Sequence, residues 1–446
     1  MNERVDKLGK ERPDRLLLRL SLPAVAAMMV HSFYHMVDTV FIGRGIGPSG
    51  IAASFIVLPF IILGFATSLM AGAGGASILS RSLGSGDINK ADDTVANVLT
   101  ACVITGVIFL CVGLLWGKKL LSLLGGSPDI VPLAWEYFRI VLVSFPFLCF
   151  SVGAENIARA EGRVSVTMFA MVMSSLINIF LDWLFIFRFG MGMSGAALAT
   201  LIAELSMAAL FLGYFLFGHS IAKRGLRIKI QPALLSRILA VGSASFVRPA
   251  TGSIVVLIIN STLFRYGGDV SVASYGIINR TVMFSVMPMM GLAQGLQPIL
   301  GYNYGAGMYK RALQVIYLSI GAATLFSVLG FLAFLIFPEW ITRIFTSDPL
   351  LISETVFSIR VVAAAFFLVG FHIIVSILFQ AIGKARISLF LTLSRQIIFL
   401  IPLLLLLPIY FQTTGVWLSF PLADLMAGIV SMVFFLPAVK DLKSRI

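Results

Sequence analysis

Apolar runs of twenty or more residues, parted by short polar loops, follow one another along almost the whole chain. A helix crossing a bilayer needs about 20 apolar residues. The pattern predicts about twelve such spans, at 14–42, 51–80, 94–116, 132–158, 166–188, 195–218, 236–264, 272–302, 312–337, 352–380, 388–410 and 414–438. Composition agrees: of 446 residues 59% are hydrophobic and 12% charged. Soluble chains of this length are about a quarter charged. The expected fold is an all-α polytopic membrane protein.

The net charge of +13 changes the picture only through where it sits. Twelve spans put both termini on one side of the bilayer. The loops of that side, such as "AKRGLRIKI" and "KDLKSRI", carry about 21 Lys and Arg against about six in the opposite set, which places both termini in the cytoplasm. Topology thus accounts for the basic residues. No basic stripe interleaved with aromatics is present, so nucleic acid is not an expected partner. The charged N-terminus leads into a long apolar helix without a cleavage site and does not read as a signal peptide. Cys102, Cys111 and Cys149 lie in apolar runs with no metal spacing and read as small buried hydrophobes.

An offset of about 221 residues lays the chain over itself. "ILSRSLGSGDINKA" (78–91) then faces "ILGYNYGAGMYKRA" (299–312), Arg139 faces Arg360, and Glu204 meets Asp424. The predicted organisation is an N-terminal six-helix bundle over 1–218, a cytoplasmic linker over 219–235, and a C-terminal six-helix bundle over 236–446. Two halves of six spans share one orientation, so a pseudo-two-fold along the membrane normal relates them, an arrangement that suits a secondary transporter.

Other chemistries find little support. There is no G-x-x-x-x-G-K-[ST] phosphate loop, and "GAGGAS" (72–77) lies inside a span, where close helix packing explains it. No His, Cys or Asp cluster has metal-enzyme spacing, and no cofactor is expected. Carboxylates do interrupt the apolar runs, and each needs a partner or a function there. In "YHMVDTVFIG", Asp38 shares a helical face with Tyr34, His35 and His31. In "NIFLDWLFIF", Asp182 follows Asn178 by one turn.

Together with "RAEGR" and "GMSGAALATLIAE", these segments resemble the MATE family, the multidrug and toxic compound extrusion transporters, over essentially the whole chain. Spans seven and eight lack acids, and span ten has only Glu354 at its edge, as in the DinF-like branch. The resemblance implies an inner-membrane antiporter, monomeric, exporting amphipathic and cationic compounds in exchange for H+ or Na+. It implies an ion-coupling site of Asp38, Asn178, Asp182, Thr200 and the Ala196 carbonyl. Asp38, Asn178, Asp182 and Thr200 offer the all-oxygen ligands that Na+ prefers. Tyr34, His31, Glu155, Met171 and Glu204 are candidate substrate-binding residues. Glu155 and Glu204 depart from the family's usual pattern; for Glu155 a salt bridge to Arg159, one turn on, is the competing reading. Two other functions stay open: a lipid-linked oligosaccharide flippase of related architecture, and a membrane-embedded enzyme using paired acids.

Overall fold

In the computed structural model, residues 8–124, 128–217, 220 and 227–446 are described, and they are overwhelmingly helical. The first six spans are α1 (Pro13–Gly45), α2 (Pro48–Ser85), α3 (Ile88–Leu123), α4 (Ile130–Ala160), α5 (Val164–Asp182, continued by a π-helical turn Trp183–Arg188) and α6 (Gly192–Leu216). Pro232–Gly305 runs as one helix but breaks at Gly268, giving α7 (232–267) and α8 (269–305). Then come α9 (Tyr309–Ile336), a short helix Pro338–Arg343, and α10, made of Pro349–Ala363 and Val369–Ala381. Ala385–Leu393 passes through a π-helical turn Ser394–Leu400 into Ile401–Ser444, which breaks at Gln412. That gives α11 (385–411) and α12 (413–444).

The local causes are legible. Gly86, at a positive φ of 77°, stops α2, and the next residue, Asp87, caps α3 by accepting from Lys90 N at 3.0 Å. Residues with positive φ recur with the repeat: Gly47 pairs with Gly268, Gly86 with Gly307 and Gly162 with Gly383, each at the offset that aligns the two halves. Glycine adopts that backbone region without the steric penalty other residues meet. Span ten departs from the single helix that hydropathy suggests. It bends by 44° between Ala363 and Phe366, although neither Pro nor Gly stands there. The carbonyl of Phe367 freed by the bend accepts from Ser327 Oγ on α9 at 3.2 Å. A neighbouring hydroxyl is one of the ways a broken membrane helix satisfies its backbone.

The chain forms two compact units, and their boundaries differ from the expected cut at the linker. One unit comprises Ala26–Phe246; the other joins Gly9–Val25 to Val247–Ile446. The first part of α1 therefore belongs to the second unit and the first part of α7 to the first. Within the first unit α7 crosses α2 backbone to backbone. A Cβ on Gly242 would stand 1.8 Å from the Met70 carbonyl oxygen, and one on Gly74 1.9 Å from that of Ile238. Within the second unit α1 crosses α8 in the same manner: a Cβ on Gly295 would stand 2.2 Å from Ser21 Oγ and 3.0 Å from its backbone nitrogen. Gly74 corresponds to Gly295 in the repeat, and Ser21 to Gly242, so the two crossings are copies of each other. The change of unit falls just after Pro23 in α1 and just before Pro249 in α7.

Burial is that of a protein in lipid. Leu115, Trp116, Leu257 and Leu406 are exposed along their helices, while Ser68, Asn97, Ser151, Asn303 and Ser419 are buried. In the first unit α4 packs against α2, α3 and α6, and α6 also against α5. Phe60 meets Phe109, Phe138 and Phe145 edge-on in its interior.

The linker is described only from residue 227, apart from Ser220. Its last residues dock on one face of α3, at Asp93, Asn97 and Thr100. Lys229 Nζ lies 2.7 Å from Asp93 Oδ1, Gln231 Nε2 donates to Asp93 Oδ2 at 3.0 Å, and Gln231 N donates to Asn97 Oδ1 at 2.7 Å. Asp93 is partly exposed, so each pair contributes only about 0.2–1 kcal/mol. Asp93→Asn is expected to speed hydrogen exchange at the Lys229 and Gln231 amides up to about five-fold; exchange at the wild-type rate would show that the segment is held elsewhere.

Candidate ion and substrate site

The first unit gathers acids from α1, α5 and α6. On α5, Asn178 and Asp182 are one turn apart on a buried face, 1% and 0% exposed. The π-helical turn begins at the next residue, Trp183. Single π turns inside α-helices are frequent at functional sites. On α6, Ala196, Thr200 and Glu204 recur every four residues and share a face. Ser174 Oγ ties the two helices by donating to the Ala203 carbonyl at 2.9 Å.

Asp38 on α1 completes the group. Its carboxyl and that of Asp182 are within hydrogen-bonding reach of each other. The Oδ1 atom of each is buried without a hydrogen-bond partner. With the Asn178 amide turned so that both its atoms are satisfied, its nitrogen donates to Asp182 Oδ2 at 2.9 Å and its oxygen accepts from Thr200 N at 3.3 Å. Thr200 Oγ1 donates to the Ala196 carbonyl at 3.1 Å. Two carboxylates in contact away from water need a counter-charge, and either a proton between them or a monovalent cation supplies it. Among the described residues no three His, Cys, Asp or Glu side chains gather as a metal site, so the arrangement lacks the acids that a divalent ion would draw on.

The other residues singled out in the sequence fall into two sets. Tyr34 lies within electrostatic reach of Asp38, Asp182 and Glu204. Glu204 has a buried Oε2 with no partner. Glu155 is within reach of Glu204 but is ion-paired to Arg159, as the competing reading held, so its charge is balanced locally. Met171 is half-buried, about two turns before Asn178 on α5. The His31 side chain lies outside the described residues, as does that of His35. Sequence reasoning missed Tyr137 of α4, buried, hydrogen-bonded to Thr200 and facing both aspartates. Its signal was only a hydroxyl-bearing ring in an apolar run.

The MatE family model matches residues 23–184 and, a second time, 245–406. The chain belongs to the MATE family of membrane transporters. The two matches start one repeat apart. Multidrug export protein MepA of Staphylococcus aureus (strain N315) is 26% identical over 422 residues, 94% of this chain and 92% of the relative. The MATE multidrug transporter DinF-BH, solved in complex with the dye rhodamine 6G, is 37% identical with a TM-score of 0.88 over 95% of each chain. A MOP superfamily transporter from Pyrococcus furiosus, whose binding pocket is of reverse polarity, is 27% identical with a TM-score of 0.90 over 99% of each chain. The twelve helices in two bundles match these MATE structures, and the chain is a multi-pass membrane transporter rather than an enzyme.

Proposed function

We propose that this MATE transporter is an antiporter that exports amphipathic, cationic compounds across the inner membrane in exchange for H+ or Na+. The observation that carries the reading is the meeting of Asp38 and Asp182, each with a buried oxygen lacking a partner. An unpaired charge at the bilayer centre costs about 2.5–3.5 kcal/mol even on the milder insertion scale. Loading an ion offsets that cost, so the packing of α1, α5 and α6 depends on whether the site is filled. A substrate cation attracted by the unpartnered Glu204 carboxylate competes with the loaded state. That difference in stability between loaded and unloaded states is the exchange coupling. The export of drugs by MepA and the binding of rhodamine 6G by DinF-BH support the substrate class. The excess of basic residues in one set of loops supports cytoplasmic termini. The unit of function is taken as the monomer.

The test is efflux of a cationic dye from proteoliposomes under a proton gradient and a sodium gradient imposed separately. At least one gradient is expected to drive efflux against the dye gradient. Efflux indifferent to both would remove the antiport reading.

A further inference from the structure

The second unit has a polar interior of its own that the ion site leaves unused. Arg395 lies in the π-helical turn of α11, and its Nε is 2.6 Å from Oδ1 of Asp424 on α12, which is 5% exposed. On α7, three residues after Arg248, the Thr251 hydroxyl bonds Gln396, the neighbour of Arg395. The helices α7 and α11 therefore meet at this level, and the two guanidiniums are within electrostatic reach of each other and of His372. His372 is itself satisfied, with Nδ1 2.8 Å from Ser431 Oγ. Asp424 is engaged by Arg395. Arg248 has a different neighbour: Nη1 lies 3.5 Å from the sulfur of Met290 on α8, an uncharged and weak acceptor. Among the described residues no carboxylate forms an ion pair with it.

Two guanidiniums thus share one carboxylate, and one positive charge stands unbalanced among helices that cross a bilayer. Such a residue is by default a functional one with a missing partner. The repeat sharpens this. The positions one repeat before Arg248 and Arg395 carry Ala26 or Ala27 and Met173 or Ser174, so the basic pair is peculiar to the second half. The first unit carries the opposite sign, in Asp38, Asp182 and Glu204.

We propose that Arg248, with Arg395 beside it, forms a subsite for the anionic group of an amphipathic organic acid, a carboxylate or sulfonate. The guanidinium presents a planar fork of donors that matches two acceptor oxygens at once. Asp424 holds Arg395 in place while leaving Arg248 free to take the ligand. The Met290 thioether supplies an adaptable apolar surface for the ligand's body. The protein's range of ligands then extends past cations to zwitterions and organic anions. This inference rests on the reading of the chain as a carrier of amphipathic compounds, though not on the ion site.

The experiment measures binding of two forms of one rhodamine dye to the purified full-length protein in detergent, by fluorescence polarisation. The ethyl ester is a cation; the free carboxylic acid is a zwitterion. Arg248→Gln is expected to weaken binding of the acid about ten-fold or more and to leave the ester within about two-fold, the loss of a charge-assisted contact. Arg248→Lys keeps the charge without the fork and is expected to fall between. Unchanged affinity for the acid in Arg248→Gln, equal losses for both dyes, or failure of the acid to bind wild-type protein would each overturn the subsite. Should Arg248→Gln not fold, benzenesulfonate competition on wild-type protein decides: displacement of the acid but not the ester upholds the subsite, and any other pattern refutes it. Binding of the ester without Arg248-dependent binding of the acid sinks this inference and leaves cation export standing. Arg248-dependent binding of the acid without binding of the ester does the reverse.

Discussion

Asp38→Asn is expected to abolish gradient-driven export while the protein remains folded in the membrane. The amide has nearly the shape of the carboxyl, so the packing of α1 is preserved. It takes up neither a proton nor a cation's charge in exchange. Its nitrogen also donates permanently to the Asp182 carboxyl it faces, satisfying that group whether or not an ion is present. The packing of the site then no longer depends on ion loading, and the coupling free energy between ion and substrate falls to zero. Coupling energies in exchange systems are about 1–3 kcal/mol, so the accumulation ratio across the membrane should drop by about 5–150-fold. Asp182→Asn is expected to do nearly the same. Asn178→Ala and Thr200→Ala remove a ligand or its support but no charge, and should weaken ion binding without ending it. The readout is dye efflux from proteoliposomes, with dye binding in detergent as the control for folding. Export by Asp38→Asn at the wild-type rate under an ion gradient would place the coupling site elsewhere.

The second large effect concerns stability. Gly242→Val is expected to destabilise the protein severely, because α7 and α2 touch there through bare backbone. The nearest atom to a Cβ at residue 242 is the Met70 carbonyl oxygen at 1.8 Å, with the Gly74 nitrogen at 3.1 Å. Neither is the far end of a side chain that swings aside. The helices must separate by more than an ångström, which forfeits dispersion contacts along the whole crossing. Overpacking of this kind costs about 1–3 kcal/mol and sometimes more. Gly252→Ala, on the same helix, is the control: a Cβ there meets nothing within 4 Å. It should stabilise α7 slightly, by up to about 1 kcal/mol, through helix propensity. Thermal unfolding in detergent measures both. A Gly242→Val protein melting at the wild-type temperature would refute the crossing.

Much of the architecture could be read from hydropathy because a bilayer demands long apolar helices whatever their packing. The repeat was visible because turns need particular residues: the positive-φ glycines that recur in both halves fall within or beside the segments that aligned. The bend in α10 was not visible, since it is stabilised by a hydroxyl on α9 rather than by a Pro or Gly in its own sequence. The two π-helical turns and the crossings of α1 and α7 depend on neighbours in the same way. At the site, Asp38 and Asp182 stood out because a carboxylate in an apolar run is conspicuous. The Glu155–Arg159 pair was legible from its one-turn spacing. The Arg395–Asp424 pair joins two helices and could not be found from spacing. Tyr137 was hidden among ordinary aromatics.

The exchange of opening segments between the units bears on ancestry. The groove beside Gly74 is filled by 232–246, and the matching groove beside Gly295 by Gly9–Val25. Each repeat therefore carries at its start the piece that completes the other. A half-length ancestor of six spans would have lent that piece to a second copy of itself and borrowed the same in return, a segment-swapped homodimer of the kind symmetric oligomers form at low cost. Gene fusion then turned an exchange between two chains into one within a single chain, and each copy was free to specialise, the first in acids and the second in arginines.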